Sequence, residues 1–336
     1  VVTVISPWNF PTATASWKIA PALAFGNAVI WKPANLTPAS AVLLTEIIAK
    51  QDIPAGLFNL VMGSGASVGE RLINSEDIDA ITFTGSLAVG KRVAVAAAGN
   101  LTKFQLEMGS KNALVVLDDA DLDNAADCAV NGAFGSSGQK CTASSRLIVT
   151  AGVHDEFVAK VQERMAKLKV GGALEEGVTI GPAVDAKQYA QNKEYFKLAQ
   201  DEGADLVCGG EFDDSKGYFM TPALFINTTN QMRINIDEAF APLACVIKVA
   251  DYDEALATLN DTQYGLTGGI CTTSLKYATH FKRHAKTGCV MINLPTAGTD
   301  YHVPFGGRKN SSFGSREQGK YAQEFYTEVK TTYMKA

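Results

Sequence analysis

The sequence predicts an α/β protein in two parts, built on parallel sheets. Its 336 residues, 46% of them hydrophobic, suffice to bury a large core and exceed what one small domain needs. Short apolar runs also alternate along the chain with longer segments of helical pattern, the order expected of βαβ units. The β-branched run at residues 1–5 reads as a buried strand. After it come extended segments at 28–31, 58–61, 81–84 and 104–107, with helical patterns at 38–50, 67–73 and 87–98 between them. Beyond Gly109 the alternation resumes, with strands at 113–117, 146–150, 243–249, 269–271 and 290–292 and helices at 122–134 and 153–169. Gly171-Gly172, Gly209-Gly210 and Asp213-Asp214-Ser215-Lys216-Gly217 read as surface turns inside that second series. Near the end, Phe325, Tyr326, Val329 and Tyr333 stand among polar residues, and 327–331 reads as an edge strand suited to pairing with another subunit.

Charge and composition narrow the function. The formal net charge is −5 and no Lys/Arg-rich run is present, which argues against nucleic acid as a partner and for a small molecule. No apolar run has the length needed to span a bilayer, and the start lacks the basic segment and cleavage site of a signal peptide, so the expected location is cytoplasmic. Six cysteines are scattered without a C-x-x-C pair, which suggests neither a metal site nor a disulfide framework. The chain begins without Met and directly in a strand-like run, so an upstream segment is expected.

Cys141 is the most informative residue. Its flanks in Ser137-Gly138-Gln139-Lys140-Cys141-Thr142 are small and polar, with a cation next to the thiol, as a nucleophile requires. On local composition an inert thiol is equally compatible. Leu106-Glu107-Met108-Gly109 places a carboxylate at a strand end. Asn9 lies between the two prolines of Pro7-Trp8-Asn9-Phe10-Pro11, stiff enough to aim an amide at an oxyanion, although a turn asparagine is the plainer reading. Phe83-Thr84-Gly85-Ser86 joins a strand to a helix through Gly-Ser, where free helix N–H groups suit a pyrophosphate, without the full G-x-G-x-x-G pattern. The four histidines show no metal or triad spacing.

These segments, taken in order with Trp31-Lys32-Pro33, Glu238-Ala239-Phe240-Ala241-Pro242 and Pro304-Phe305-Gly306-Gly307, resemble the aldehyde dehydrogenase superfamily over essentially the whole chain. The resemblance implies a Rossmann-like nicotinamide dinucleotide domain at 1–109, incomplete at its N-terminus. It also implies an α/β catalytic domain at 110–309 and a returning tail with an oligomerisation strand at 310–336, in a homodimer or homotetramer. It implies catalytic roles for Cys141 as nucleophile, Asn9 as oxyanion donor, Glu107 as the base that hydrolyses a thioester, and Lys18 with Glu317 as proton relay. A surface ion pair is the plain alternative for the last two. Cofactor contacts fall to Trp8, Lys32, Asn35, Gly85, Ser86, Glu238 and Phe240, and substrate contacts to Phe10, Trp17 and Thr142. No metal is implied. Family members that transfer the acyl group to coenzyme A lack a carboxylate at the Glu107 position, which favours hydrolysis here.

Two finer expectations follow. Many NAD-preferring members carry Glu where this chain has Asn35; a neutral amide removes a charge that would repel a 2′-phosphate, so NADP is expected alongside NAD. The strings Glu107-Met108-Gly109-Ser110-Lys111-Asn112-Ala113, Lys140-Cys141-Thr142-Ala143-Ser144-Ser145-Arg146 and Asn293-Leu294-Pro295-Thr296-Ala297-Gly298 followed by Tyr301-His302-Val303-Pro304-Phe305 resemble the subgroup that oxidises 2,5-dioxopentanoate. Arg146 and Arg308 lie near these motifs, with no direction assigned to either. The alternatives are another semialdehyde or betaine-type aldehyde dehydrogenase, a cysteine hydrolase or acyltransferase, and a non-catalytic member of the family.

Overall fold

A computed structural model describes residues 1–336 and divides them into two compact units. The first comprises 1–108, 299–306 and 312–336, and the second 109–298 and 307–311. The tail expected as a separate piece from 310 therefore belongs largely to the first unit.

In the first unit the elements run β1 (Val2–Ile5), α1 (Ala13–Ala24), β2 (Val29–Lys32), α2 (Pro38–Ala49), β3 (Phe58–Leu60), α3 (Glu70–Ile73), β4 (Ala80–Thr84), α4 (Leu87–Gly99) and β5 (Lys103–Glu107). In the second they are β6 (Ala113–Val116), α5 (Leu122–Phe134), β7 (Arg146–Thr150), α6 (His154–Met165), α7 (Ala186–Asp201), β8 (Asp205–Cys208), β9 (Phe212–Asp213), β10 (Phe219–Met220), β11 (Ala223–Ile226), α8 (Arg233–Ile236), β12 (Leu243–Val249), α9 (Tyr252–Asn260), β13 (Thr267–Cys271), α10 (Leu275–His284) and β14 (Cys289–Ile292). The chain then returns to the first unit with β15 (Ser312–Phe313) and α11 (Ala322–Tyr326).

The first sheet has the order β15-β5-β4-β1-β2-β3, parallel except for β15, which runs antiparallel to β5. One core joins Val4, Trp31, Ile19 and Phe325; another joins Ile81, Phe83, Val93 and Leu106. The central strands are thus covered on both faces, which is why they read as continuous apolar runs. The second sheet has the order β14-β13-β6-β7-β12-β11-β8, and only β8 is antiparallel. Four of the unit's helices start at side-chain caps: Asp121 for α5, Asp185 for α7, Asp251 for α9 and Ser274 for α10 each accept first-turn N–H groups.

Three differences from the sequence reading have physical causes. Helix α1 forms although Pro21 lies inside it, because its buried face, Ala15, Lys18, Ile19 and Ala22, is held by tertiary packing. Helix α6 stops at Met165 rather than 169, since the Lys169 carbonyl accepts the N–H groups of Thr179 and Ile180 across a bridge that begins at Val170. Residues 327–331 form no strand, because an extended segment needs a neighbouring backbone to complete its hydrogen bonds. The side chains of Val329 and Tyr333 are almost fully exposed.

Candidate active site

In the first unit, β1 and β4 lie side by side with β2 and β5 on their outer flanks, so strand order reverses between them. Open α/β sheets bind ligands outside the carboxyl ends of the strands at such a switch point. The loop leaving β1 carries Trp8, Asn9 and Phe10, and it is tied down by the Trp31 Nε1–H donating to Ser6 Oγ at 2.9 Å. The loop leaving β4 carries Gly85 and Ser86. Ser86 caps α4, accepting the Val89 N–H at 3.5 Å, while the N–H groups of the first helical turn have no intrahelical acceptor. Lys32, at the end of β2, is buried, donates from Nζ to the Pro33 carbonyl at 3.0 Å, and has its pKa lowered by burial. Asn35 is exposed in the turn that follows. Helix N–H groups and an ammonium around a switch point are the donor set that a nicotinamide dinucleotide requires, so these residues fit that cofactor.

The same unit gathers Lys18, Glu107 and Glu317. Glu107 ends β5 and is almost fully buried; Ser312 Oγ–H donates to its Oε2 at 2.6 Å. Burial raises the Glu107 carboxyl to about 8, opposed by Ser312, Lys18 and Arg316. Lys18, fully buried on α1, makes an ion pair with Glu317, and burial pulls its ammonium down to about 7. This pair is buried rather than at the surface, and the Glu317 Oε2 has no hydrogen-bond partner. Trp17, one residue before Lys18, packs its ring on Phe305 at 5.5 Å between centroids. Phe10 is exposed.

In the second unit, Cys141 follows a tight turn at 135–138 in which Ser136, Ser137 and Gly138 all have left-handed backbone. Gly138 packs against the Ala241 carbonyl so closely that any Cβ would collide with it. The turn is fixed by the Ser137 Oγ–H to the Gly181 carbonyl at 2.7 Å and by Gln139, which donates to the Pro182 carbonyl and accepts the Val184 N–H. Cys141 is half-buried. The ammonium of Lys140 beside it donates to the Asn131 carbonyl at 3.0 Å and is brought down to about 8 by burial, against the opposing effect of Cys141. Glu238 accepts the Ser110 N–H at 2.8 Å; burial raises its carboxyl to about 7, opposed by that bond and by Lys111. Phe240 has left-handed backbone, and its carbonyl and that of Ala239 are held by Gln188 on α7.

The supporting roles of several residues named only within motif strings escape a reading of the sequence. Asn112 is buried and donates to the carbonyls of Cys141 at 2.7 Å and Ala143 at 3.1 Å while accepting the Thr267 N–H at 2.9 Å. Thr296 donates to the Thr142 carbonyl at 2.7 Å. Their partners are backbone atoms remote in sequence, which leave no local motif. Arg146 points inward: its guanidinium donates to the carbonyls of Lys111, Thr258 and Leu259 and to Asn230 Oδ1, so it is a structural post with no donor left over for a substrate carboxylate. Asn112→Ala removes three hydrogen bonds to backbone groups, one of them a buried N–H, and is expected to cost about 3 kcal/mol of stability in urea denaturation. A loss below about 0.5 kcal/mol would show that Asn112 is not the anchor of this loop.

The model of the aldehyde dehydrogenase family matches residues 1–332. The chain is 43% identical to an alpha-ketoglutaric semialdehyde dehydrogenase of Bacillus subtilis and 42% identical to a 2,5-dioxopentanoate dehydrogenase of Saccharolobus solfataricus, in alignments that cover 100% and 99% of it and 70% of each relative. Among solved structures, betaine aldehyde dehydrogenase from Staphylococcus aureus in complex with NAD+ superimposes with a TM-score of 0.94 at 35% identity, covering 97% of this chain and 65% of that one. An NADP dependent enzyme of E. coli superimposes with a TM-score of 0.95 at 37% identity, covering 98% and 68%. A half-buried cysteine after a left-handed turn, a buried carboxyl at a strand end and a sheet whose strand order reverses agree with these matches, and the chain belongs to the aldehyde dehydrogenase family.

Proposed function

We propose that this protein oxidises an aldehyde to a carboxylic acid through a thioester on Cys141, with 2,5-dioxopentanoate as substrate and 2-oxoglutarate as product. Cys141 adds to the aldehyde carbonyl as a thiolate, and the Asn9 amide and the Cys141 backbone N–H donate to the oxygen as negative charge collects on it. A nicotinamide dinucleotide, when bound by Lys32, Asn35, Gly85, Ser86, Glu238, Phe240 and Trp8, supplies the hydride acceptor. Glu107 takes a proton from the water that cleaves the thioester, and Lys18 with Glu317 passes that proton onward. Phe10, Trp17 and Thr142 line the approach of the aldehyde.

The observation that carries the hydrolytic reading is Glu107 itself. A carboxyl held near neutrality by burial, bonded on one oxygen and adjacent to a buried lysine, has the proton affinity a general base needs. The two semialdehyde dehydrogenase relatives support the choice of substrate. Exposed Asn35, with no carboxylate beside Lys32 in the Lys32–Pro38 turn, supports use of NADP as well as NAD. The exposed Val329, Tyr333 and Met334 support pairing of the tail with a second copy, in a homodimer or homotetramer.

An aldehyde panel run with both cofactors tests this reading. The expected result is a kcat/KM for 2,5-dioxopentanoate at least about tenfold above that for betaine aldehyde, with measurable turnover on NADP. Preference for the neutral or cationic aldehyde would overturn the substrate, and strict NAD use would overturn the role given to Asn35.

A further inference from the structure

The two-residue strand β15 has one conspicuous duty. Its register places Ser312 opposite Glu107 and Phe313 opposite Leu106. The register is locked by the Phe313 ring stacked on Phe104 at 5.1 Å and 14°. Ser312 Oγ–H consequently reaches Glu107 Oε2 at 2.6 Å. On the other side, Gly306 has a φ of +154°, and a Cβ there would lie 2.8 Å from Glu107 Oε1 and 2.5 Å from an Arg316 Nη1. The carboxylate is thus confined between a hydroxyl donor and a glycine that leaves room only for it and the guanidinium.

We propose that Ser312 is a positioning residue for the deacylating base: its hydroxyl, delivered by β15, fixes the direction of the Glu107 carboxylate. The inference rests on the reading of Glu107 as that base. A hydroxyl donating to a buried carboxylate also favours the ionised form, which is the form able to accept a proton. The charged groups packed around Glu107 within its unit are Lys18 on α1 and Arg316 in the tail, with Glu317 bonded to Lys18; β4 carries no titratable side chain. Both cations already favour the carboxylate, and Ser312 opposes the effect of burial more strongly than either.

The test uses p-nitrophenyl acetate, an activated ester that acylates Cys141 with release of p-nitrophenolate and needs no cofactor; water then hydrolyses the acetyl thioester. Acyl-enzyme decay is followed by mass spectrometry after rapid quench in wild type and in Ser312→Ala, Ser312→Thr and Glu107→Gln. Ser312→Ala is expected to acylate at the wild-type rate, deacylate about tenfold more slowly and shift the acid limb of the deacylation–pH profile upward, with Ser312→Thr restoring both. A Ser312→Ala enzyme with an unchanged rate and acid limb, while Glu107→Gln still stalls as the acyl-enzyme, overturns the role of Ser312 alone. Unimpaired deacylation in Glu107→Gln overturns the base assignment and the role of Ser312 with it.

Discussion

Cys141→Ala is expected to abolish aldehyde oxidation, lowering turnover by roughly five to six orders of magnitude, while leaving the fold intact. The fold survives because the anchor of the loop is the Cys141 carbonyl, held by Asn112, together with the Gly138 packing and the Gln139 bonds. None of these involves the thiol. The measurement is cofactor reduction at 340 nm alongside thermal denaturation. Retained turnover at an unchanged melting temperature would return Cys141 to the inert-thiol reading that its local sequence also allows. None of the other five cysteines lies on that loop, and Cys128, Cys245 and Cys271 are buried.

Glu107→Gln has the next largest expected effect, and a different signature. The amide nearly matches the carboxylate in shape and keeps an acceptor for the Ser312 hydroxyl, so the site stays assembled. It cannot take a proton. The variant should release one equivalent of reduced cofactor in a burst and then slow by about 10² to 10⁴, the usual contribution of a positioned base. In wild type the ionised fraction of Glu107 grows as pH rises through about 8, so deacylation should accelerate over that range. Stability moves the opposite way. The folded chain holds this proton to about 8 and the unfolded chain releases it near 4.5, so the contribution is fully present below 4.5 and is lost as pH rises to about 8. Gln removes that loss, and Glu107→Gln should therefore be more stable than wild type at pH 9. A variant no more stable than wild type there, or one without the burst, would contradict the assignment.

How far the sequence reaches is clearest at these residues. The loops carrying Asn9 and Gly85 were legible because each follows a short β-branched strand, β1 or β4, that is almost wholly buried, and Glu107 because it ends the next extended segment, β5. Helix α1 was not, because Pro21 in its interior and Thr14 and Ser16 in its first turns mask a helix that tertiary packing sustains. Nor was helix α7, whose Gln188 and Gln191 hold the segment containing Glu238 and Phe240 through backbone carbonyls. The direction of Arg146 was invisible for the same reason: its partners, the carbonyls of Lys111, Thr258 and Leu259 and the Asn230 Oδ1, all lie more than 30 residues away. Sequence motifs record the groups that meet a substrate, whereas the groups that aim them bond to backbone of any sequence.

Strand β15 also has a consequence for the making of the protein. Ser312 follows Glu107 by 205 residues, so at ordinary synthesis rates the ribosome adds it about 10 to 40 s later. Until then β5 is the outermost strand of the first sheet, with one row of backbone groups unpaired and Phe104 uncovered on its solvent side. The nascent N-terminal unit therefore waits with an open edge through the whole synthesis of the second unit. That interval is when the chain is most exposed to intermolecular strand pairing, and when a chaperone would have most to protect.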